Sequence, residues 1–185
     1  MRTPALSFRP LARPDLVTLS QWLTEPHVAR WWRDPSDTAS IEAAYVPCID
    51  GEDPTEMFIL EADGRDAGLF QRYLIADEPD WAAALRASRS VAADAAGIDY
   101  LIGDPAMTGR GLGAAAIRQF TALTFDRYQG ATEVAAAPQQ ANVPSWRALE
   151  RAGYSRAWAG QLATDDPSDA GPAYVYISRR PAASR

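Results

Sequence analysis

The chain has 185 residues, of which 47% are hydrophobic and 23% are charged, and its formal net charge is −6. This composition predicts one globular domain over residues 1–185, and the acidic balance argues against a nucleic-acid-binding protein, which presents a basic face to phosphates. The N-terminus lacks the apolar core of a signal peptide, no run is long enough to span a bilayer, and the single cysteine, Cys48, cannot form an internal disulfide. We therefore expect a soluble cytoplasmic protein, in which the acidic charge either suits a cationic partner or only keeps the surface soluble.

The first half of the chain predicts one strand, two helices and a hairpin. Apolar and polar residues alternate in the first run and in the hairpin, whereas apolar residues recur at helical spacing between them. Pro14 suits a first helical turn, and the dipeptide Asp63-Gly64 supplies the positive φ angles of a tight turn. In chain order we expect a strand over 5–11, a helix over 14–25, a loop over 27–37, a short helix over 37–49 and a hairpin over 57–75.

The second half alternates strands and helices after an ambiguous segment. Residues 77–96 combine an acidic start with alanine and arginine, which predicts either a partly helical excursion or a mobile loop, and lid closure by 78–96 is left open. The whole order predicts a single α/β domain with a mixed central sheet of about seven strands flanked by about four helices. The remaining elements are expected as strands over 98–103, 132–138, 154–161 and 172–179 and as helices over 111–128 and 142–153.

A glycine-rich turn stands between a predicted strand and a long predicted helix, at Thr108–Gly113. In such a unit successive backbone N–H groups converge and the helix N-terminus adds partial positive charge, which suits a pyrophosphate. Glycine allows the close approach, because a Cβ would hold phosphate oxygens away from the N–H groups. Neither the P-loop pattern nor the Rossmann spacing is present. A tight turn that uses glycine for steric reasons alone is the alternative.

The element order and the turn TGRGLG resemble those of the GCN5-related N-acetyltransferases (GNAT), whose acyl-CoA loop follows Q/R-x-x-G-x-G/A. Thr108 stands at the Q/R position, and Gly111 and Gly113 stand at the two small positions. Within that superfamily the closest resemblance is to aminoglycoside 6′-N-acetyltransferases of the Ib-like type. It covers nearly the whole chain and is carried by the ordered motifs HVARWW, AYVP, FQRY, GIDYLI, GRGLG, ERAGY and GPAYVY.

The resemblance implies an acetyl-CoA-dependent enzyme without a metal, which acetylates the 6′-amino group of a cationic aminoglycoside by direct transfer in a ternary complex. It places Asp99 beside the acceptor amine, where the carboxylate holds the ammonium and receives its proton directly or through water. The alternative for Asp99 is a structural cap at a strand end. Backbone N–H groups from about Leu101 and Ile102 are expected to face the acetyl carbonyl.

The resemblance also assigns contacts to the two ligands. His27, the single histidine, is expected to buttress its loop, and no metal site is predicted because it has no neighbouring ligands. The expected CoA contacts, besides Leu101 and Ile102, are Thr108, Gly109, Arg110, Gly111, Leu112, Gly113 and Asn142. The expected acceptor contacts are Trp32, Gln71, Tyr73, Asp80, Trp81 and Asp99, of which Gln71 and Tyr73 follow from the alternation of their strand, and packing alone is the alternative for each tryptophan.

Three departures from the Ib-like pattern bear on the acceptor and on the chemistry. Ala137 and Ala170 stand where those enzymes carry acids, so the pocket for further ammonium groups is either rebuilt, for instance from the acids of the turn 164–171, or serves a different acceptor. Leu149 stands where a tyrosine is often proposed to protonate the thiolate. We therefore expect the thiolate to leave with the help of water alone, because a thiol with a pKa near about 8.5 is a tolerable leaving group.

Two other functions stay open. The first is N-acylation of a siderophore-type lysine or hydroxylysine, or of another small amine, although those relatives usually place a histidine where this chain has Asp99. The second is a catalytically silent acyl-CoA-binding module, which the missing tyrosine and acids favour and which Asp99 beside an intact turn opposes. The sequence does not specify the amine, the acyl-chain preference, or a monomer against a homodimer.

Overall fold

A seven-stranded sheet forms the centre of the computed structural model, which describes residues 4–88 and 90–182. The predicted α/β domain with a mixed sheet of about seven strands is confirmed. In chain order the strands are β1 (Leu6–Pro10), β2 (Glu56–Ala62), β3 (Arg65–Leu74), β4 (Ala96–Ile102), β5 (Glu133–Ala136), β6 (Ser155–Gln161) and β7 (Pro172–Arg179). Their order across the sheet is β1-β2-β3-β4-β5-β7-β6.

The sheet opens between β4 and β5, its one parallel pair of neighbouring strands in the described chain. These two strands pair only through Ala96 with Val134 and Gly97 with Ala135. On its other side β4 stays paired with β3 as far as Ile102. The end of β4 therefore has one edge free of strand partners.

The helices in the described chain exceed the predicted number of about four. Residues 26–29 form a short helix that overlaps the start of the predicted loop over 27–37, because Pro26 suits a first helical position and Val28 is buried against the core. The ambiguous segment over 77–96 contains a helix rather than a continuous loop. In chain order the helices are α1 (Leu16–Thr24), α2 (Pro26–Ala29), α3 (Thr38–Asp50), α4 (Pro79–Ser88), α5 (Leu112–Arg127) and α6 (Val143–Ala152).

Helices cover both faces of the sheet. Leu69 and Leu101 point to the face covered by α1 and α3, whereas Phe70 and Ile98 point to the face covered by α5 and α6. This alternation follows from the two-residue period of a strand. Within the described part of the chain, no helix combines the length and apolar character that crossing a membrane requires.

Candidate active site

A cavity of about 1020 Å³ lies where β4 and β5 separate, and we call it the acidic cavity. Its described lining contains no arginine and no histidine. With eight carboxyl groups and no cationic side chain in its described lining, the cavity favours a cationic ligand. The acids that line it are Asp34, Asp53, Glu78, Asp80, Asp99, Asp165, Asp166 and Asp169.

Asp99 lies on β4, opposite Gln71 of β3, and the Gln71 Nε2 donates a hydrogen bond of 3.0 Å to its Oδ2. Burial raises the pKa of Asp99, as does the nearby charge of Asp166, while hydrogen bonds from Gln71 and Tyr73 oppose the rise. Asp99 therefore combines a fixed position with a carboxyl group that accepts a proton more readily than one in water. This geometry suits a general base better than a strand cap.

Tyr73 packs across β4 because the residue opposite it is Gly97. A Cβ at Gly97 would overlap the Tyr73 ring, so this glycine is required for the close packing. The pKa of Tyr73 is raised by burial and by the charges of Asp99 and Asp169, which keeps the phenol protonated and able to donate. The expected acceptor contacts all line the acidic cavity, and their binding to a ligand stays a prediction.

Trp32 is held at the cavity wall by two residues that the sequence analysis did not assign to the site. Its Nε1 donates to the Asp34 Oδ2 at 3.0 Å and to the Tyr45 hydroxyl at 3.2 Å, and Tyr45 donates to the same Asp34 oxygen at 2.7 Å. Tyr45, which belongs to the motif AYVP, is only 2% exposed. Only the tertiary contacts show that Tyr45 helps to hold Trp32 at the cavity wall.

The acidic turn between β6 and β7 contributes Asp169 to the cavity. Burial and the charges of Asp99 and Asp166 raise the pKa of Asp169 to about 7. The turn is held from two sides, because the Arg33 backbone N–H donates to the Ser168 Oγ at 2.9 Å and the Gln139 side chain donates to the Ser168 carbonyl. Asp165, Asp166 and Asp169, the acids proposed to rebuild the pocket, therefore do line it, whereas Ala170 is not among the lining residues.

Glu78 and Asp53 are two further acids of the cavity that lie near each other and were not predicted from the sequence. The Thr55 hydroxyl lies 3.3 Å from a Glu78 carboxylate oxygen and donates to it. Burial and the charge of Asp53 raise the pKa of Glu78. The two acids are far apart in sequence and lie in connecting segments without a motif, so no local pattern indicates that they meet.

Of the two expected donors to the acetyl carbonyl, the N–H groups of Leu101 and Ile102, only that of Ile102 faces the free edge of β4. The Gly103 N–H donates to the Ala67 carbonyl at 2.9 Å, and the Ala95 carbonyl accepts from the Ile75 N–H at 3.1 Å. Because N–H groups alternate along a strand, Leu101 directs its N–H into the ladder with β3. Ile102 directs its N–H to the free edge, and so does Tyr100, which had not been predicted.

His27 supports this end of β4. Its Nε2 lies 2.8 Å from the Ile102 carbonyl oxygen, which links α2 to the strand. The position agrees with a buttress rather than a base. Within the described residues, no group of three or more histidine, cysteine, aspartate or glutamate side chains is placed to hold a metal ion.

The glycine-rich turn leads directly into α5. Gly109 and Gly111 have φ angles of 71° and 77°, and Gly111 is the residue that caps α5. The first N–H bonded within the helix is that of Ala115, which donates to Gly111, so the N–H groups of 112–114 precede the helical ladder. The turn fits an anion, as a helix N-terminus with close backbone access does.

The residues expected at CoA occupy two places. Asn142 lines the acidic cavity and caps α6, because its Oδ1 accepts a hydrogen bond of 3.3 Å from the Ser145 N–H. Arg110 is exposed, and the Thr108 hydroxyl donates to the Pro105 carbonyl at 2.9 Å rather than outward. None of the turn residues 108–113 lines the acidic cavity, so the turn that fits an anion and the acidic cavity are separate parts of the structure.

The pattern of the acetyltransferase (GNAT) domain family matches residues 12–162. Aminoglycoside N(6′)-acetyltransferase type 1 of Klebsiella pneumoniae is 25% identical over 98% of this chain and 86% of its own length, and the protein of the same name from Serratia marcescens matches equally.

Solved structures agree with this match. Aminoglycoside acetyltransferase AAC(6′)-Ib in complex with coenzyme A and kanamycin has a TM-score of 0.80 and 25% identity, over 95% of both chains. The ribosomal L7/L12 alpha-N-protein acetyltransferase RimL, in complex with coenzyme A, shares the fold alone, with a TM-score of 0.70 and 12% identity over 97% of this chain and 95% of its own. The predicted resemblance is confirmed, and the chain belongs to the acetyltransferase (GNAT) domain family.

Proposed function

We propose that this chain transfers the acetyl group of acetyl-CoA to an amine of an aminoglycoside, at its 6′-amino group. The observation that carries the proposal is the acidic cavity, in which Asp99 lies beside the free edge of β4 and the described lining contains eight acids and no cationic side chain. An acceptor with several ammonium groups complements such a cavity. The relatives that match over nearly the whole chain act on aminoglycosides, which supports the same acceptor class.

The residues for the co-substrate fit a long anionic donor. The α5 N-terminus offers its free N–H groups to a pyrophosphate, and Gly109 and Gly111 keep the turn open. The free edge of β4 offers the Ile102 N–H to the acetyl carbonyl, and Asn142 at the start of α6 lines the acidic cavity. Acetyl-CoA bound there supplies the activated acyl group.

Asp99 is the proposed general base. An aminoglycoside amine arrives largely protonated, so a carboxylate first attracts it and then takes the proton that the reacting nitrogen must lose. Gln71 fixes the Asp99 carboxyl group from the next strand, and the Ile102 N–H stabilises the charge that develops on the carbonyl oxygen. Both functions act on one acceptor held against the donor, so transfer is direct.

The decisive experiment is thiol release from acetyl-CoA in the presence of a panel of amines. The panel contains aminoglycosides, linear polyamines and lysine derivatives, together with two aminoglycosides that differ only in a 6′-amino against a 6′-hydroxyl group. We expect turnover with the 6′-amino compound and a loss of at least about 100-fold with the 6′-hydroxyl compound.

Asp99→Asn is the matched variant for this assay. It is expected to lower turnover by about 100-fold or more while the dissociation constant of CoA stays nearly unchanged. Equal loss of turnover and CoA binding would show that Asp99 is structural. Activity confined to lysine-type amines would replace the aminoglycoside by the siderophore-type acceptor, and silence on the whole panel would favour a binding module.

A further inference from the structure

Tyr100 and Ser145 form a hydroxyl pair that the proposed mechanism does not use. The Tyr100 hydroxyl lies 2.9 Å from the Ser145 Oγ and 3.4 Å from the Ser145 carbonyl oxygen, which joins β4 to the first turn of α6. The Tyr100 ring stacks on Phe70 with 5.5 Å between ring centroids. Asn142 caps the same turn through the Ser145 N–H, so Ser145 is held from two directions.

The pair lies on the opposite face of the sheet from Asp99. Successive residues of a strand point to opposite faces, so Asp99 faces the side of α1 and α3 and Tyr100 faces α6. Both residues nevertheless line the acidic cavity, as does Ser145. The cavity therefore passes through the opening between β4 and β5, from the carboxyl group on one face to the hydroxyl pair on the other.

The opening between β4 and β5 determines the orientation of a thioester that spans it. The acceptor amine approaches from the Asp99 side, and the anionic end of the donor belongs at the start of α5, on the face of α5 and α6. The sulfur of a thioester that spans the opening lies on the α6 side of the acyl carbon. Leu149, one turn further along α6, is completely buried and offers no donor to this sulfur.

We propose that the Ser145 hydroxyl, positioned by Tyr100, donates a hydrogen bond to the sulfur that leaves the acetyl group. The proposal rests on the proposed function and revises the expectation that water alone assists this step. The amine nitrogen forms the new bond to the acyl carbon, the carbon–sulfur bond breaks with its electron pair going to sulfur, and the amine proton goes to Asp99 or water. The hydroxyl protons stay on Ser145 and Tyr100, and the thiolate later takes its proton from solvent.

The direction of the hydrogen bond within the pair decides whether the Ser145 proton is available. Either hydroxyl of the pair can be the donor, and in the arrangement in which Tyr100 donates to the Ser145 Oγ, the Ser145 O–H is free to donate into the cavity. Burial raises the pKa of Tyr100 well above its ordinary value, so the phenol keeps its proton. Tyr100 is thus a positioning residue rather than an acid.

The test measures the ionisation of the CoA thiol in the binary complex, without any acceptor. Thiolate absorbance in the ultraviolet is followed against pH for the protein with CoA, after subtraction of the protein alone. Burial raises the pKa of the protein's own thiol, Cys48, to about 11, which keeps it out of the range of interest. The wild-type complex is expected to hold the CoA thiol pKa about one to two units below that of free CoA, because a hydrogen bond stabilises the thiolate.

Three variants separate the hydroxyl pair from a general structural effect. Ser145→Ala is expected to raise the bound thiol pKa by about one to two units and to lower kcat about 10- to 100-fold with little change in CoA affinity. Tyr100→Phe, which keeps the ring stack, is expected to shift the pKa in the same direction by a smaller amount. Ser145→Thr keeps the hydroxyl and is expected to restore part of the effect.

Tyr154→Phe is the matched control, because Tyr154 forms a 2.7 Å hydroxyl pair with Thr121 that does not line the cavity. It should leave the bound thiol pKa unchanged. A thiol pKa that is the same in wild type and Ser145→Ala would overturn the inference while CoA binding still supports the proposed function. Failure of the wild type to bind CoA would overturn the proposed function itself and the inference with it.

Discussion

Three carboxyl groups of the acidic cavity, Asp99, Asp169 and Glu78, have raised pKa values from burial and from their acidic neighbours. Concentrating like charges in a partly buried space lowers the stability of the empty protein, and a bound cation relieves the repulsion. The same arrangement that weakens the folded state therefore strengthens binding of an ammonium group. Perturbed groups of this kind mark functional sites in many proteins.

Asp169 allows this penalty to be measured. Its pKa rises from an ordinary value of 3.8 to about 7, so the folded state binds more protons than the unfolded state between these values and stability falls as pH rises. Asp169→Asn is expected to raise the free energy of unfolding by about 2 kcal/mol at about pH 8 and by less than half of that at about pH 5. Urea denaturation at both pH values measures the difference.

The exposed neighbour Asp165 provides the control on the same turn, because Asp165→Asn should change stability little at either pH. The affinity for the acceptor should change with pH in the opposite sense to stability, and the acceptor KM reports it. In wild type this KM should fall as pH rises through about 7 and the Asp169 carboxyl group ionises, and in Asp169→Asn this part of the pH dependence should be absent. A stability gain that is equal at both pH values would mean that charge on Asp169 is not its source.

The strand–turn–helix unit from β4 to α5 is the element on which the chemistry depends. Its strand presents Asp99 to one face and Tyr100 to the other, and its turn supplies the N–H groups at the start of α5. In the proposed function this one unit therefore contacts the acceptor, the thioester and the phosphates.

The contribution of the glycine-rich turn to CoA binding can be tested by comparing Gly111 with Gly51, a glycine of similar φ outside the turn. Gly111 has φ of 77° and Gly51, at the end of α3, has φ of 75°, and at neither position does an added Cβ meet an atom within 4 Å. Gly111→Ala and Gly51→Ala should each destabilise the fold by about 1–2 kcal/mol, because both place a side chain in the left-handed region. Only Gly111→Ala is expected to weaken CoA binding, by about 10-fold, because the strain displaces N–H groups at the start of α5.

Calorimetric titration of CoA into both variants measures this difference. Thermal unfolding shows whether their loss of stability is equal. If Gly111→Ala bound CoA as tightly as Gly51→Ala, the turn would not belong to the CoA site.

Across the whole molecule, acids outnumber bases, and eight of the acids line one cavity. Electrostatic attraction to a polycation is screened over about 10 Å at 0.1 M salt, so it weakens as salt is added. We expect the KM of an acceptor with three or more ammonium groups to rise at least about 10-fold from low salt to about 0.5 M salt, measured by thiol release. An acceptor with a single amine serves as the control and should respond far less, and equal salt dependence of both would argue against a polycationic acceptor.

Local patterns in the sequence predicted the strands, the helices α1, α3, α5 and α6 and the glycine-rich turn, because periodicity and turn chemistry are properties of neighbouring residues. The short α2 was missed because four residues carry too little periodicity, and α4 was left open because its alanine-rich sequence lacks a strong apolar stripe. Asp99 and the expected acceptor contacts were identified by resemblance to a family, and the structure brings them into one cavity.

Only the tertiary structure decided which distant groups meet. Asp34, Glu78 and Asp169 come from three separate segments, and their proximity depends on how loops pack over the opening between β4 and β5. The strand register, which depends on the neighbouring strand, placed the Leu101 N–H in the ladder and left that of Ile102 free. Sequence by itself determined the local units and the family, whereas the charge states and the hydroxyl pair of the site arose from burial and contacts between residues far apart in the chain.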